Sequence, residues 1–444
     1  DDAATALAVS ASGVTVAGRF HGAADFDPGV GTAALTSAGE HDGFVVRLDA
    51  NGGYVWSRQL GGSGSDEVQA VVLDAAGAVY LLGSFRGTVD LNPGAGTANA
   101  TAPEGSEDTF LLKLTATGDY GWSKSWGGSA DDRGHGLAVD AAGEIYAVGA
   151  FGGTLDFDPG AGVTNLTAVG GRDIFITKLD ARGSLLWAKS IGGLGTDEAR
   201  GLAQDAAGNL YLVGSFSGQV DFDPGAGTKT LGANGATDIY FLKLDTNGDL
   251  LWAKTLGGAA HEQATAVAVN AAGEVYVGGF FTGEMDFDSG TGVTALRAGG
   301  LTDGFVAKFT GDGELVWAKA QVPAAGHRMA LTRSLGLDSA GNVYAVVASL
   351  PLTATFATAL GNTGLVAQIG METSLSKLDA QGNLTWTQRW NGVVGGVLGS
   401  SVAVGSQGEL TLVGSFRGAV DFNHGVGVRL LNAAGESDGF ILRL

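Results

Sequence analysis

The sequence predicts an all-β, seven-bladed β-propeller with four antiparallel strands per blade. Three observations carry this: a repeat of about 65 residues, a tryptophan on the same beat, and glycine-rich turns between short apolar strands. The segment DFDPG begins at Asp25 and returns as DLNPG at Asp90, as DFDPG at Asp156 and Asp221, as DFDSG at Asp286 and as DFNHG at Asp421. Successive starts lie 65, 66, 65 and 65 residues apart, and the last gap of 135 hides one degenerate copy. Trp56, Trp122, Trp187, Trp252, Trp317 and Trp386 keep the same interval. One domain over residues 1–444 follows, with blades at about 1–62, 63–128, 129–193, 194–258, 259–322, 323–393 and 394–444.

Within a unit the pattern gives four strands. Strand a precedes the DAAG turn, as at Gly201–Asp205, and strand b follows it at Asn209–Phe216, with alternating apolar residues. A long loop carries DFDPGAG. Strand c has the DIFITKLD form at Asp173–Asp180, and strand d is SLLWAKSI at Ser184–Ile191. A Gly-Gly pair opens the loop to the next unit, at Gly61, Gly127, Gly192 and Gly257. No lysine or helix pattern follows those pairs, so they read as turns rather than phosphate cradles. Strands a, b and c occur seven times and the tryptophan strand d six times, which leaves the last blade three-stranded, with an open edge at Asp438–Leu444. The expected source of the missing strand is the native polypeptide upstream or downstream, or a partner adding a strand there.

Composition narrows the function. Hydrophobic residues make up 45% and charged ones 16%, with 77 glycines, 7 prolines and no cysteine, so disulfides and thiol chemistry are excluded. The formal charge of −21 opposes binding to nucleic acid or anionic lipid and favours cations and basic partners. No run reaches the roughly 18 apolar residues that span a bilayer. The chain starts at Asp1, so a processed or excised product is expected.

The unit GGxGxDxxxxLAVDAAGxxYxxGSFxGxxDFDPG, followed by DxFxxKLDAxGxLLWAK, resembles the bacterial SBBP β-propeller repeat family. The resemblance covers nearly the whole chain. It is specific in blades two to five, weaker in the seventh, and poor in the sixth, where Leu350–Gly370 lacks the acidic loop. It implies a secreted or cell-surface bacterial protein, often a module of a larger polypeptide, and no reaction. The segment LDAxGxLLW, at Leu179–Trp187 and Leu244–Trp252, is similar to the tryptophan-docking motif of quinoprotein propellers. That similarity implies tryptophans wedged between blades and brings no quinone with it. Sugar-stacking is the alternative for the six on-beat rings. Trp126 and Trp390, off the beat, are expected to be exposed.

The long loops share one face, and that face is acidic. Each regular blade supplies a pair: Asp25 and Asp27, Asp90 and Asn92, Asp156 and Asp158, Asp221 and Asp223, Asp286 and Asp288, Asp421 and Asn423. A third aspartate opens strand c at Asp42, Asp108, Asp173, Asp238, Asp303 and Asp438, and the d–a loops add Asp2, Asp66, Asp132, Asp197 and Glu262. Two readings stand for the pairs and the strand-c aspartates. Calcium takes six to eight oxygens, and D-x-D-x-G places two carboxylates on one side of a tight turn, with strand c supplying a third. An Asx turn, in which the aspartate accepts nearby N–H groups, needs no ion and is preferred.

No catalytic constellation emerges, because the paired acids recur in every blade and the six histidines lack metal-ligand spacing. The position five before the end of strand a varies: Thr5, Gln69, His135, Arg200, Thr265, Arg333 and Ser400. It reads as a mixed polar ring, either solvated strand starts or a ligand pocket. In blade six the segment Ala318–Ser334 gains His327, Arg328 and Arg333, a candidate partner-binding sector. The expected function is a non-catalytic extracytoplasmic scaffold that binds a protein partner or a cell-surface assembly, with a propeller enzyme or a sugar-binding lectin as the competing classes.

Overall fold

In the computed structural model, which describes residues 1–322, 327–351, 370–423 and 428–444, the chain is a seven-bladed β-propeller with no helix among the described residues. In blade three, strand a is Arg133–Val139, b is Ile145–Phe151, c is Asp173–Leu179 and d is Leu185–Gly193, hydrogen-bonded in the order a-b-c-d. Strands b and c are buried along their whole length here, so their near-continuous apolar runs are the core of the blade.

The turn chemistry explains the repeated motifs. In DAAG, Asp74 Oδ1 accepts the N–H groups of Ala76 and Ala78, each at 2.9 Å, and Gly77 takes a φ of 81° that favours glycine. The long b–c loop is itself ordered, which the sequence reading missed. It folds as a three-residue hairpin in six blades, for example Thr88–Asp90 with Asn99–Thr101. The phenylalanine of DFDPG points inward between its two outward aspartates: Phe157 is fully buried against Phe151 and Phe175, at ring-centroid distances of 5.2 and 5.3 Å. Burying such a ring is worth about 1.5–3 kcal/mol.

The hairpin also extends the preceding blade. Gly61 and Gly62, at the end of strand d in blade one, pair with Asp90 and Val89 of blade two, and Gly192 and Gly193 pair with Asp221 and Val220. Blades one, three and six thereby become six-stranded sheets, and part of an otherwise bare edge is covered.

The chain divides into two compact units: Thr5–Gly232 with Leu242–Ala253, and Asp1–Ala4 with Ala233–Phe241 and Lys254–Leu444. In the first, the a strands Asp66–Leu73, Arg133–Val139 and Glu198–Gln204 pack side by side. Adjacent blades are pinned by tryptophan. Trp56 Nε1 donates to Ala116 O at 3.1 Å and Trp122 Nε1 to Ala181 O at 3.3 Å. The rings lie against the turn glycine of the next blade, so a Cβ on Gly118 or Gly248 would sit 2.8 Å from Trp56 or Trp187.

In the second unit Trp317 repeats the arrangement, with Nε1 to Ala380 O at 3.1 Å. There the last blade is a three-stranded sheet of Val397–Val404, Leu410–Phe416 and Asp438–Arg443, as expected from the strand count. The expectation for the off-beat tryptophans is overturned. Trp126 and Trp390 are 3% and 2% exposed, because they occupy the last inward position of strand d, where Leu60 and Ile191 stand in other blades.

Candidate functional site

The long-loop side of each blade begins strand a, and in blades two to seven that strand carries the same irregularity. The a–b pairing slips between Val68 and Ala70, Gly134 and Gly136, Ala199 and Gly201, Ala264 and Ala266, Thr332 and Ser334, and Gly399 and Ser401. The residue skipped in each case is Gln69, His135, Arg200, Thr265, Arg333 or Ser400, the varied polar positions of the repeat. A bulge re-aims its side chain off the sheet and is a recurrent device beside binding sites. The sequence located these positions; the bulge that distinguishes them is invisible without the register.

In the first unit these bulges sit in a charged rim. Arg19 pairs with Glu67 at 3.2 Å, and Glu107 takes both Arg86 at 2.9 Å and Arg133 at 3.0 Å. Asp131 lies 3.5 Å from Arg86, and Glu198 holds Arg172 at 3.4 Å as well as Arg200. Gln69 donates to Ser84 at 2.9 Å, and Ser84 donates to Glu107. Burial, then the neighbouring Arg200, Arg133 and Arg172, push the His135 imidazole down to about 3, so it is neutral at physiological pH. Four rim atoms are buried and have no hydrogen-bond partner: Nε of Arg19, Arg133 and Arg200, and Oε1 of Gln69. The rim therefore holds three donors and one acceptor without partners at a place where such groups are normally satisfied.

The acidic hairpins behave as turns. Asp25 Oδ1 accepts the N–H groups of Asp27 at 3.1 Å and Ala33 at 2.7 Å, while Asp27 Oδ1 accepts that of Gly29 at 2.8 Å. Asp156, Asp221 and Asp286 repeat the first pattern, and Asp158, Asp223 and Asp288 the second. Asp90 and Asp421 each accept two N–H groups in the same way, one of them that of Asn92 or Asn423. The strand-c aspartates do not join them. Asp42 turns to the N–H groups of Ala38 and Gly39 and to Gln59 Nε2, and Asp303 and Asp438 likewise accept from the loop before them. Among the described residues no three acidic or histidine side chains gather as a metal cage, so the expected trios are not assembled.

What strand c does instead is meet the d–a acid of the next blade. Asp66 N donates to His41 O at 2.8 Å, which sets Asp66 beside Asp42; Asp132 stands likewise to Asp108, Asp197 to Asp173 and Glu262 to Asp238. All eight are buried. The Gly-Gly pair makes room for them: a Cβ on Gly127 would lie 1.8 Å from Asp108 Cγ, and the next N–H, of Gly128, donates to Asp132 at 2.9 Å. In each pair one carboxylate oxygen has no partner: Asp66 Oδ1, Asp108 Oδ1, Asp173 Oδ1 and Glu262 Oε1. Desolvation first, and the neighbouring acid as well, raise Asp66 and Asp108 to about 7; burial raises Asp132 and Asp197 to about 6.

In blade six, Arg328 and Arg333 are exposed, with Arg333 at the bulge, and His327 pairs with Pro351 through its backbone while its side chain falls outside the described residues. Residues 352–369, which include most of the segment lacking acids, also fall outside them, as does His424. The on-beat Trp56, Trp122, Trp187 and Trp317 spend a ring face on the neighbouring turn glycine, which leaves that face unavailable to a sugar.

Fold and rim together define a repeat β-propeller with a bulged, charged rim in its first unit. No protein-family model matches the chain. It is 30% identical over 266 residues to the regulatory protein FlaEY of Caulobacter vibrioides, a match covering 57% of this chain and 26% of that protein. It is 22% identical over 456 residues to an uncharacterized WD repeat-containing protein of Acanthamoeba polyphaga mimivirus, covering 88% of this chain and 32% of that one. The chain thus spans about a quarter to a third of the length of these relatives. Similar solved structures include the Neurospora crassa Pan2 WD40 domain, 11% identical with a TM-score of 0.42, over 92% of this chain and 85% of that one. A polysaccharide lyase structure, an ulvan lyase, is 10% identical with a TM-score of 0.44, over 93% and 91%.

Proposed function

We propose that the chain is a non-catalytic binding scaffold, an extracytoplasmic bacterial protein of the SBBP repeat type, whose blades one to four present the contact surface. The observation that carries this is the charged, bulged rim itself, where the side chains of Arg19, Arg86, Arg133 and Arg200 stay 35–41% exposed while their carboxylate partners fix them in place. Guanidinium groups held in place by Glu67, Glu107 and Glu198 lose little further entropy on binding and match the planar carboxylates of a protein partner. The rest of the surface is strongly acidic and would repel such a partner, which confines binding to the rim.

The test is a binding panel of a glutamate-rich peptide, a lysine-rich peptide and a uronic-acid oligosaccharide. The glutamate-rich peptide should bind in a salt-sensitive way, and Arg133→Gln with Arg200→Gln should weaken it about tenfold, the loss of one good charge-assisted contact. Equal binding of all three, or no effect of the double variant, would remove the reading. Turnover of the oligosaccharide would replace it with the carbohydrate-active alternative.

A further inference from the structure

Each repeat brings three side-chain positions together on its long-loop side: the residue after the strand-b phenylalanine, the residue before the strand-c acid, and the residue before the d–a acid. In blade two these are Arg86, Glu107 and Asp131, and Arg86 Nη2 lies 2.9 Å from Glu107 Oε2 and 3.5 Å from Asp131 Oδ1. Backbone bridges fix part of the same approach in other blades, joining His41 to Ser65, Arg172 to Thr196 and Thr237 to His261. Side chains meet there too, with Thr237 Oγ1 at 3.3 Å from His261 Nδ1.

In blade one the three positions hold His21, His41 and Ser65, and none of blades two to five places two histidines there. The histidines lie 20 residues apart in sequence, so no linear ligand spacing reveals them. The b–c register does: Phe20 pairs with Asp42, which sets His21 across from His41 as a cross-strand pair. Their ring centroids are 5.7 Å apart and their planes inclined by 52°. A tetrahedral ion held at about 2.0–2.1 Å by one nitrogen of each ring would set the centroids about 5 Å apart, so a small ring rotation closes the geometry. His21 is exposed and His41 half-buried, which leaves the pair open to an ion from solvent. Arg19, two residues before His21, is held by Glu67 at 3.2 Å, so its charge is balanced. Among the described residues no third acid or histidine joins the pair, and water completes the coordination.

We propose that His21 and His41 form a two-histidine site for a divalent transition ion of the imidazole-binding kind, such as Zn2+. Imidazole nitrogen suits these ions, whereas calcium takes oxygen ligands, so the site is distinct in chemistry from the acidic hairpins. Two ligands on paired strands are pre-organised by the sheet, and chelation by both rings separates this site from the single histidine of blade four. The inference does not depend on reading the charged rim as a contact surface.

The experiment strips the 444-residue chain with chelator, exchanges it into metal-free buffer and titrates it with ZnCl2 by calorimetry. One equivalent should bind, and His21→Ala should weaken that binding at least about tenfold. His21 is exposed, so circular dichroism should show the variant folded. His41→Gln, which keeps a polar side chain at the half-buried position, is the second variant and should act the same way. The double variant should lose little more than either single one, because one imidazole cannot chelate alone. His261→Ala should leave the affinity unchanged. With Cu2+ as a spectroscopic substitute, electron paramagnetic resonance should show coupling to two imidazole nitrogens, and either variant should lose it. Undiminished Zn2+ affinity in both single variants would overturn the proposal. So would additive losses in the double variant, a site that disappears with His261, or no saturable binding at millimolar Zn2+.

Discussion

Two kinds of blade junction stand in contrast. From blade one to blade five each junction buries two carboxylates, as Asp42 does with Asp66, beside a Gly-Gly pair. The next two bury one acid and an aliphatic residue. Ala330 stands where Asp66 would, beside Asp303, and Val397 stands beside Glu372, both fully buried. The first glycine of the pair is lost with the second acid, becoming Val322 and Asn391. The contrast teaches that the d–a acid is the exchangeable member, since the strand-c acid persists as Asp303 and Glu372. Where the Gly-Gly pair is present, the strand-c carboxylate packs over the first glycine and the d–a acid accepts the N–H of the second. Where the acid goes, dry packing replaces it, as is often tolerated when both members of a polar contact are exchanged.

The largest effect should come from the aliphatic side of the comparison. Trp390→Ala, which empties a site in the core around Val397, should cost about 3–5 kcal/mol in urea denaturation. A loss under about 1 kcal/mol would show that this junction is not held by packing.

Next is Gly127→Val, which drives a branched side chain into Asp108 and should cost about 3 kcal/mol or prevent folding. Val322→Gly, at the equivalent position beyond blade five, should cost less than about 1 kcal/mol, because Val322 is 65% exposed. Equal losses at the two sites would dissolve the distinction.

A smaller effect is pH dependence. Asp66 and Asp108, raised to about 7 in the folded chain from 3.8, bind protons that the unfolded chain has released. Their contribution is therefore fully present near pH 4 and is lost as pH rises through about 7. His135, held down to about 3, works in the opposite sense and is lost as pH falls. Comparing Asp66→Asn with the wild type cancels the histidine. The variant should gain in relative melting temperature from pH 5 to pH 8, and a constant difference would count against a buried, protonated Asp66.

The smallest concerns the hairpins. Asp25→Ala removes two Asx-turn bonds at an exposed site and should lower the melting temperature only slightly. Chelator should leave the melting temperature within the error of the scan, and a clear drop that calcium reverses would restore the ion-binding reading of these loops.

Much of this was legible in the residues. The repeat gave the blade count, and the observed strands in blades three and four begin and end within three residues of those read from the alternation. The varied positions Gln69, His135 and Arg200 were singled out, yet their slip from the ladder was not, since a bulge is a relation between two strands. Trp126 and Trp390 were misjudged because period alone was used to rank tryptophans, while burial follows the inward position in the strand. The acids were grouped by nearness in sequence, Asp25 with Asp27 and Asp42, whereas Asp42 actually meets Asp66 in the following blade.

The sequence alone determined what depends on neighbours along the chain: strand alternation, Asx turns, left-handed glycines and the number of repeats. Only the tertiary structure decided which carboxylates share a junction, which hairpin extends which sheet, and which residue slips out of the ladder as a bulge. Those contacts join residues one blade apart, where desolvation and backbone pairing between sheets, rather than local preference, set the energy.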